Sequence, residues 1–420
     1  MSNLEQIRYE PCFPEIQGSV VNWVTSKSIR CIERLPQIFW RNGQPWSEVN
    51  LWALEMGRNQ NIKLKTIQTI FEHLHKYANW LEQEKIDWRH FPQQMSERAI
   101  VRFRGYLIDL RDRGGLSPST TSARMRAVIR FYRYADCHNL IGQEGQLWKD
   151  KTISIKYFDI RGFQRTLQRI TSDISIPNRR RLGMRLEDGL LPISAEHMST
   201  LLQFAQKNMS QEMYLILLVA FFTGARLTTI TSLRSYSLER AMRDNLAPDM
   251  WVIPVGPGTG ISTKFDVVGE LFIPNFLMES LQIYAYSRKH LDRVIRAKQE
   301  NKSYLFLTRQ FRPYTANTVD RQMVDLRKKG LLAGLKFLKG YRFHQARATF
   351  CTWLLTICLE VASVKASIEF AKRIMLHKHE STTFKYILFI EHSKAKIEIS
   401  NEFTALFLGV KTKLIETTEI

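Results

Sequence analysis

Residues 212–234 read EMYLILLVAFFTGARLTTITSLR. The stretch predicts an apolar helix, and a cationic side chain, Arg226, stands beside its most apolar segment. An unpartnered guanidinium against such a segment is expensive. No acid lies between Glu212 and Glu239. Either a buried ion pair from elsewhere in the chain or an external anion has to answer that charge. Upstream, LPISAEHMSTLLQFAQ (191–206) predicts an amphipathic helix, with Ser194 as N-cap and Glu196 in its first turn. Downstream, the run MWVIPVGPGTGISTKFDVVGELFIP (250–274) predicts short strands around a glycine-rich turn, GPGTG. That turn lacks GxxxxGK[ST] and opens no helix, so it reads as a hairpin rather than a nucleotide cradle. Beyond about 275 the pattern is helical. The predicted class is mainly α with a small antiparallel sheet, an α+β domain over 193–400.

The first part of the chain reads differently. Residues 1–60 mix short apolar stretches with NGQPW turn chemistry and predict an N-terminal extension of unassigned role. Leu64, Ile67, Ile70, Phe71, Leu74, Tyr77, Trp80 and Leu81 recur at three-and-four spacing and predict a helix. A second helix is expected over 96–113 with Ser96 as N-cap, and a third over 117–138. The third carries Arg124, Arg126, Arg130 and Arg133, a basic face suited to a phosphate backbone or simply to water. Residues 61–145 thus predict a helical domain. Residues 146–192 read as a basic linker in which Arg179, Arg180 and Arg181 are available to phosphates. Residues 401–420 form a tail.

Charge narrows the function. The chain has 420 residues, with 61 Lys and Arg against 40 Asp and Glu, a net +21. That excess on a chain 44% hydrophobic favours a folded protein with a polyanionic partner. No apolar run approaches the roughly 18 residues of a membrane span, and the start carries no secretory pattern. Five scattered cysteines without CxxC read as reduced thiols, so a cytoplasmic, nucleoid-associated protein is expected.

Five polar positions stand out besides Arg226. Lys264 is the only lysine between Lys207 and Lys289 and sits beside the predicted turn. His344 and Arg347 are three apart in YRFHQARATFCTWLL (341–355), on one face of a helix start where an anion binds well. Tyr386 is the only tyrosine after Tyr341 and lies nine residues past His377, in MLHKHESTTFKYI (375–387).

An arginine in TGARL, a lysine at a hairpin, His-x-x-Arg, then a histidine followed nine residues later by a tyrosine resembles the tyrosine recombinases, the phage-type integrases. The stretch GLSPSTTSARMRAVIRFYRY (115–134) is similar to their core-binding domain. The resemblance spans about three quarters of the chain and implies a two-domain clamp on double-stranded DNA. It implies that Tyr386 attacks a phosphodiester, leaving a 3′-phosphotyrosine and a free 5′-hydroxyl, so that strands are cut and rejoined without ATP. Arg226 and Arg347 would hold the non-bridging oxygens, and Lys264 would be general acid to the leaving oxygen. His344 would take the tyrosine proton and His377 would bind the phosphate. No metal or cofactor is implied. The expected assembly is a homo-tetramer on two recombination sites of a mobile element, with accessory DNA-bending or directionality factors and the apolar 400–410 stretch reaching a neighbour.

Three departures stand out. Leu376 replaces the family's glycine before the second histidine, Thr229 its frequent glutamate, and Ala348 its second histidine after His-x-x-Arg. A type IB topoisomerase shares the chemistry, and a catalytically idle DNA-binding protein shares the fold. A metal nuclease built on His377, His379 and Glu380 would need a further ligand cluster, which the sequence does not offer.

Overall fold

The computed structural model describes residues 1–17, 20–25, 31–59, 61–142, 147–158, 164–178, 186 and 190–394. The chain divides into two compact units, Met1–Leu182 and Gly183–Ile420. Arg179, Arg180, Arg181 and the 400–410 stretch lie outside the described residues.

The first unit opens with β1 (Asn3–Tyr9), β2 (Cys12–Gln17), β3 (Val20–Thr25) and β4 (Ile32–Phe39). β1 pairs antiparallel with β4, and β2 with β3. Helices α1 (Ser47–Arg58), α2 (Leu64–Glu84), α3 (Ala99–Asp112) and α4 (Pro118–Cys137) follow. Leu35 and Ile38 of β4 and Val49, Trp52 and Met56 of α1 share one core with α2, α3 and α4. Residues from the expected extension are therefore built into the helical unit. Buried Asn50 explains how β4 is held: its amide accepts from Ile38 N at 2.8 Å and donates to Ile38 O at 3.0 Å.

This core is ringed with aromatics. Trp46 lies 5.2 Å from Phe131 and 6.0 Å from Trp88 between ring centroids, and Tyr77 lies 4.6 Å from Phe103. Such pairs add about 0.5–1.5 kcal/mol each beyond the area they bury. The two phenols inside are satisfied: the Tyr77 and Tyr132 hydroxyls are 2.7 Å apart, and Tyr132 also donates to the Trp88 carbonyl. Burial pushes both phenols well above their ordinary pKa.

α2 follows the predicted stripe, burying Ile67, Ile70, Phe71, Leu74, Tyr77, Trp80 and Leu81. α4 is capped by Ser117, whose side chain accepts from Thr120 N, with Pro118 at the first helical position. α3 departs from expectation. Ser96 falls in a 3₁₀ turn, Met95–Glu97, and the helix starts after Arg98 without a side-chain cap. Within the stretch read as linker, β5 (Asp150–Phe158) and β6 (Gln164–Ser172) form an antiparallel hairpin. Leu147, Trp148, Ile174 and Ile176 at its base enter the core. Its side chains at 151–154 are exposed on both faces, although the sequence alternates apolar and polar residues from Ile153 to Tyr157.

The second unit begins with α5 (Ala195–Asn208), capped by Ser194, whose side chain accepts from His197 N. α6 (Gln211–Thr223) is the apolar run, and it ends at Gly224 with φ +62°. A Cβ on Gly224 would stand 2.4 Å from Phe350 and 2.7 Å from Met375 Sδ, so both conformation and space require glycine. Short helices α7 (Leu227–Thr231) and α8 (Ser235–Glu239) lead to a three-stranded antiparallel sheet, β7 (Met242–Arg243), β8 (Met250–Val255) and β9 (Gly269–Pro274). Then come α9 (Asn275–Ala285), α10 (Arg288–Arg296), α11 (Ala316–Leu332), α12 (Gln345–Val361), α13 (Val364–Ile374) and α14 (380–394). The fold is thus mainly α with small antiparallel sheets. Leu215 to Phe221 of α6 sit in a core with β8, β9, α9 and α11. A second cluster joins α12, α13 and α14 through Cys351, Leu355, Ile368, Ala371, Tyr386 and Ile390. Among the described residues no helix is long and apolar enough to cross a membrane.

Candidate active site

The C-terminal ends of α6 and α13 meet the start of α12, and the side chains singled out in the sequence gather there. Arg347, in the first turn of α12 and 3% exposed, donates from Nη1 to Gly224 O at 2.6 Å and from Nη2 to Met375 O at 2.8 Å. Arg226, the N-cap residue of α7, donates from Nη1 to Leu376 O at 3.2 Å. Backbone carbonyls at helix C-termini carry partial negative charge, so cations are favourable against them. The planar fork of Arg347 reaches one carbonyl from each of two helices, a geometry an ammonium cannot copy.

The turn after α13 is a Schellman motif. His377 N donates to Lys372 O at 3.0 Å and Leu376 N to Arg373 O at 3.2 Å. Leu376 occupies the left-handed position with φ +51°, where glycine is the usual residue. That conformation costs a leucine about 1–2 kcal/mol. Leu376 is only 6% exposed, and burying such a side chain contributes roughly 1.5–3 kcal/mol, enough to offset the strain.

The turn delivers His377, 3% exposed, whose Nδ1 shares a hydrogen bond of 2.8 Å with Thr383 Oγ1 of α14. One turn further along α14 stands Tyr386, fully buried, its ring stacked on His377 with centroids 6.1 Å apart. Arg226, Arg347, His377 and Tyr386 are thereby brought together around residues 375–377.

His344 lies at the entrance to α12, three residues from Arg347, and is half-buried. It opens onto a cavity of about 650 Å³ lined also by Leu227, Arg327, Lys339 and Arg342. Lys264 is exposed in the loop between the GPGTG turn and β9. The link is indirect: Lys264 Nζ is 5.3 Å from the centre of the Phe265 ring, and Lys378 Nζ, next to His377, is 5.6 Å from the same ring.

The departures find their places. Thr229 is buried in α7, and Ala348 packs in the apolar cluster that holds Tyr386. His379 is exposed, and Glu380 binds Lys372 at 3.0 Å. Among the described residues no group of three His, Cys, Asp or Glu side chains converges on a metal-sized site.

Of the basic face on α4, Arg126, Arg130 and Arg133 are exposed. Arg133 is paired with Asp150 at 2.8 Å, and Arg130 lies 5.9 Å from the Trp52 ring. Arg124 is half-buried, and desolvation draws its pKa down. It therefore lies off the exposed face.

Sequence reasoning missed Thr383, Lys378, Arg327, Lys339 and Arg342. Thr383 has a signal, standing three residues before Tyr386 and so on the same helical face. The others are single cations that only the fold gathers.

Part of the chain is similar to known proteins. Residues 192–389 match the family model described as the phage integrase family. The Tn1549 transposon integrase (fragment 82–397), in complex with a circular intermediate DNA, superposes with TM-score 0.51 at 18% identity. That match covers 81% of this chain and 94% of the other. A complex of the same integrase with transposon right end DNA gives TM-score 0.50 at 18% identity, over 84% and 98%. A lambda integrase dimer bound to a core site gives 0.46 at 13% identity, over 81% and 94%. No curated protein matches the chain in sequence. The two likenesses to the Tn1549 integrase speak for the fold, and residues 192–389, which hold Arg226, Arg347, His377 and Tyr386, carry a domain that matches the phage integrase family.

Proposed function

We propose that the protein is a site-specific DNA recombinase that cuts and rejoins strands through a covalent 3′-phosphotyrosine, serving the integration or excision of a mobile element. The observation that carries this reading is the convergence of Arg347, Arg226, His377 and Tyr386 on the carbonyl-lined turn 375–377. Two guanidiniums would hold the non-bridging oxygens of a phosphodiester, whose charge peaks in the transition state. Tyr386 Oη forms a bond to phosphorus while the bond to the 5′-oxygen breaks. The phenolic proton passes to His344, and Lys264 gives a proton to the departing 5′-oxygen. Rejoining is the reverse, with a 5′-hydroxyl of the same or another strand attacking the phosphotyrosine. Because Tyr386 is fully buried here, α14 must turn its tyrosine outward when DNA binds.

The first unit would be a core-binding domain closing a clamp on the duplex, with Arg126 and Arg130 of α4 turned to the backbone. The tetramer in which lambda integrase is solved on a Holliday junction makes a homo-tetramer the expected assembly. Accessory bending or directionality factors would bias the outcome.

The test is a nicked suicide duplex that traps the covalent intermediate. Wild type should become linked to DNA and Tyr386→Phe should not. Equal adduct in both would overturn the assignment.

A further inference from the structure

Leu376 is a leucine where the backbone asks for glycine, and its side chain has a specific seat. Gly269, the first residue of β9, has no side chain, and a Cβ placed on it would lie 2.4 Å from Leu376 Cδ2. Gly269 pairs with Val255 at the end of the β8–β9 ladder, so its position is fixed by the sheet. It also lies five residues past Lys264, at the end of the loop that carries that lysine. The Leu376 carbonyl holds Arg226, and the preceding carbonyl holds Arg347. The seat therefore joins the lysine-bearing loop to the turn on which both arginines hang. A second contact joins the same two pieces, with the Phe265 ring within 6 Å of both Lys264 Nζ and Lys378 Nζ.

We propose that Leu376, seated against Gly269, is a positioning residue that sets the Lys264 loop in register with the arginine, histidine and tyrosine cluster. A glycine at 376 would relax the backbone but leave the loop without this anchor. The strain at φ +51° is tolerated because the side chain that causes it also locks the two pieces together. The inference rests on the proposed role of Lys264 as general acid, and its test separates the two.

The full chain is assayed for covalent adduct on a suicide duplex, once with an ordinary scissile phosphate and once with sulfur in place of the bridging 5′-oxygen. A thiolate leaves without a proton, so a defect in proton donation is relieved by the sulfur. Gly269→Ala should slow adduct formation at least ten-fold on the oxygen substrate, with DNA affinity within two-fold of wild type. On the sulfur substrate that deficit should fall below three-fold, as should the deficit of Lys264→Ala. Adding Leu376→Gly to Gly269→Ala removes the clash and the anchor together, so the double variant should stay at least ten-fold slow on the oxygen substrate and be relieved by sulfur. The proposal is overturned if the double variant, which has no anchor, reacts within three-fold of wild type on the oxygen substrate. It is also overturned if sulfur relieves Lys264→Ala but not Gly269→Ala. Should Gly269→Ala not fold, Leu376→Ala vacates the same seat, and the same relief by sulfur is required of it. Failure of wild type to form adduct, or of sulfur to relieve Lys264→Ala, would instead sink the functional reading. The seat is then judged by melting temperature, with the double variant above Gly269→Ala in support and equal to it against.

Discussion

Helix α6 holds a buried arginine at each end, and the two are held by opposite means. At its N-terminus Glu212, 1% exposed, pairs with Arg293 at 2.8 Å and with Lys289 at 3.0 Å. At its C-terminus the Gly224 carbonyl takes a hydrogen bond from Arg347. Both arrangements suit the helix dipole, an acid at the positive end and a cation at the negative end. They differ in what they do to charge. A carboxylate cancels the formal charge of its partner, whereas a carbonyl orients a guanidinium without neutralising it. The first kind of bond holds the domain together, and the second aims a cation.

That contrast is most directly broken at Arg347. Arg347→Ala should lower covalent adduct formation by about 10²–10³-fold, the usual effect of losing a donor to transition-state charge. Arg347→Lys keeps the charge but cannot span both carbonyls, and should still lose at least about ten-fold. If Arg293→Ala lowered adduct per folded molecule as much as Arg347→Ala, the distinction would fall. The reverse experiment is Glu212→Gln, which strands Arg293 in the core and should cost about 3–5 kcal/mol in denaturant unfolding. Its adduct yield per folded molecule should match wild type. Next in size is Gly224→Ala, which meets a left-handed backbone and the Phe350 ring together and should cost about 2–4 kcal/mol.

The smallest effect separates the ends by pH. Desolvation lowers the pKa of His290, whose Nδ1 is 2.9 Å from Ala285 O and which also faces the Tyr304 and Leu305 backbone and Arg293, and likewise that of His73 in the first unit, beside Arg124 and Glu72. Each takes up its proton at a lower pH in the fold than in the unfolded chain, where protons bind near pH 6.5. Their contribution to stability is thus present above about pH 6.5 and is lost as pH falls through the folded values. Melting temperature should drop between pH 7 and pH 5, and His290→Gln should flatten that slope. An unchanged slope would show that other groups govern it.

Much of this was legible from residue order. The stripe on α2, the caps Ser117 and Ser194, and the apolar run of α6 follow from periodicity and local hydrogen bonding, which sequence records directly. The spacing of Arg226, His344, Arg347, His377 and Tyr386 was equally visible, and the fold gathers Arg226, Arg347, His377 and Tyr386 around one turn. What was hidden has physical reasons. β2 leaves Phe13 and Ile16, and β3 leaves Val21 and Trp23, exposed, so burial does not alternate along these strands. Ser96 looks like a cap, yet a 3₁₀ turn absorbs it before α3 begins. The missing glycine at 376 looked like a loss of ease in the turn. The compensating partner, Gly269, lies 107 positions away and carries no signal of its own.

The aromatic core of the first unit has an optical consequence. Of the nine tryptophans, Trp23, Trp40, Trp46, Trp52, Trp80, Trp88 and Trp148 belong to that unit, leaving Trp251 and Trp353 to the other. Intrinsic emission therefore watches the first unit almost alone, while far-ultraviolet dichroism weighs the helices of both. Divergence of the two signals along one denaturation curve would show each unit melting on its own schedule.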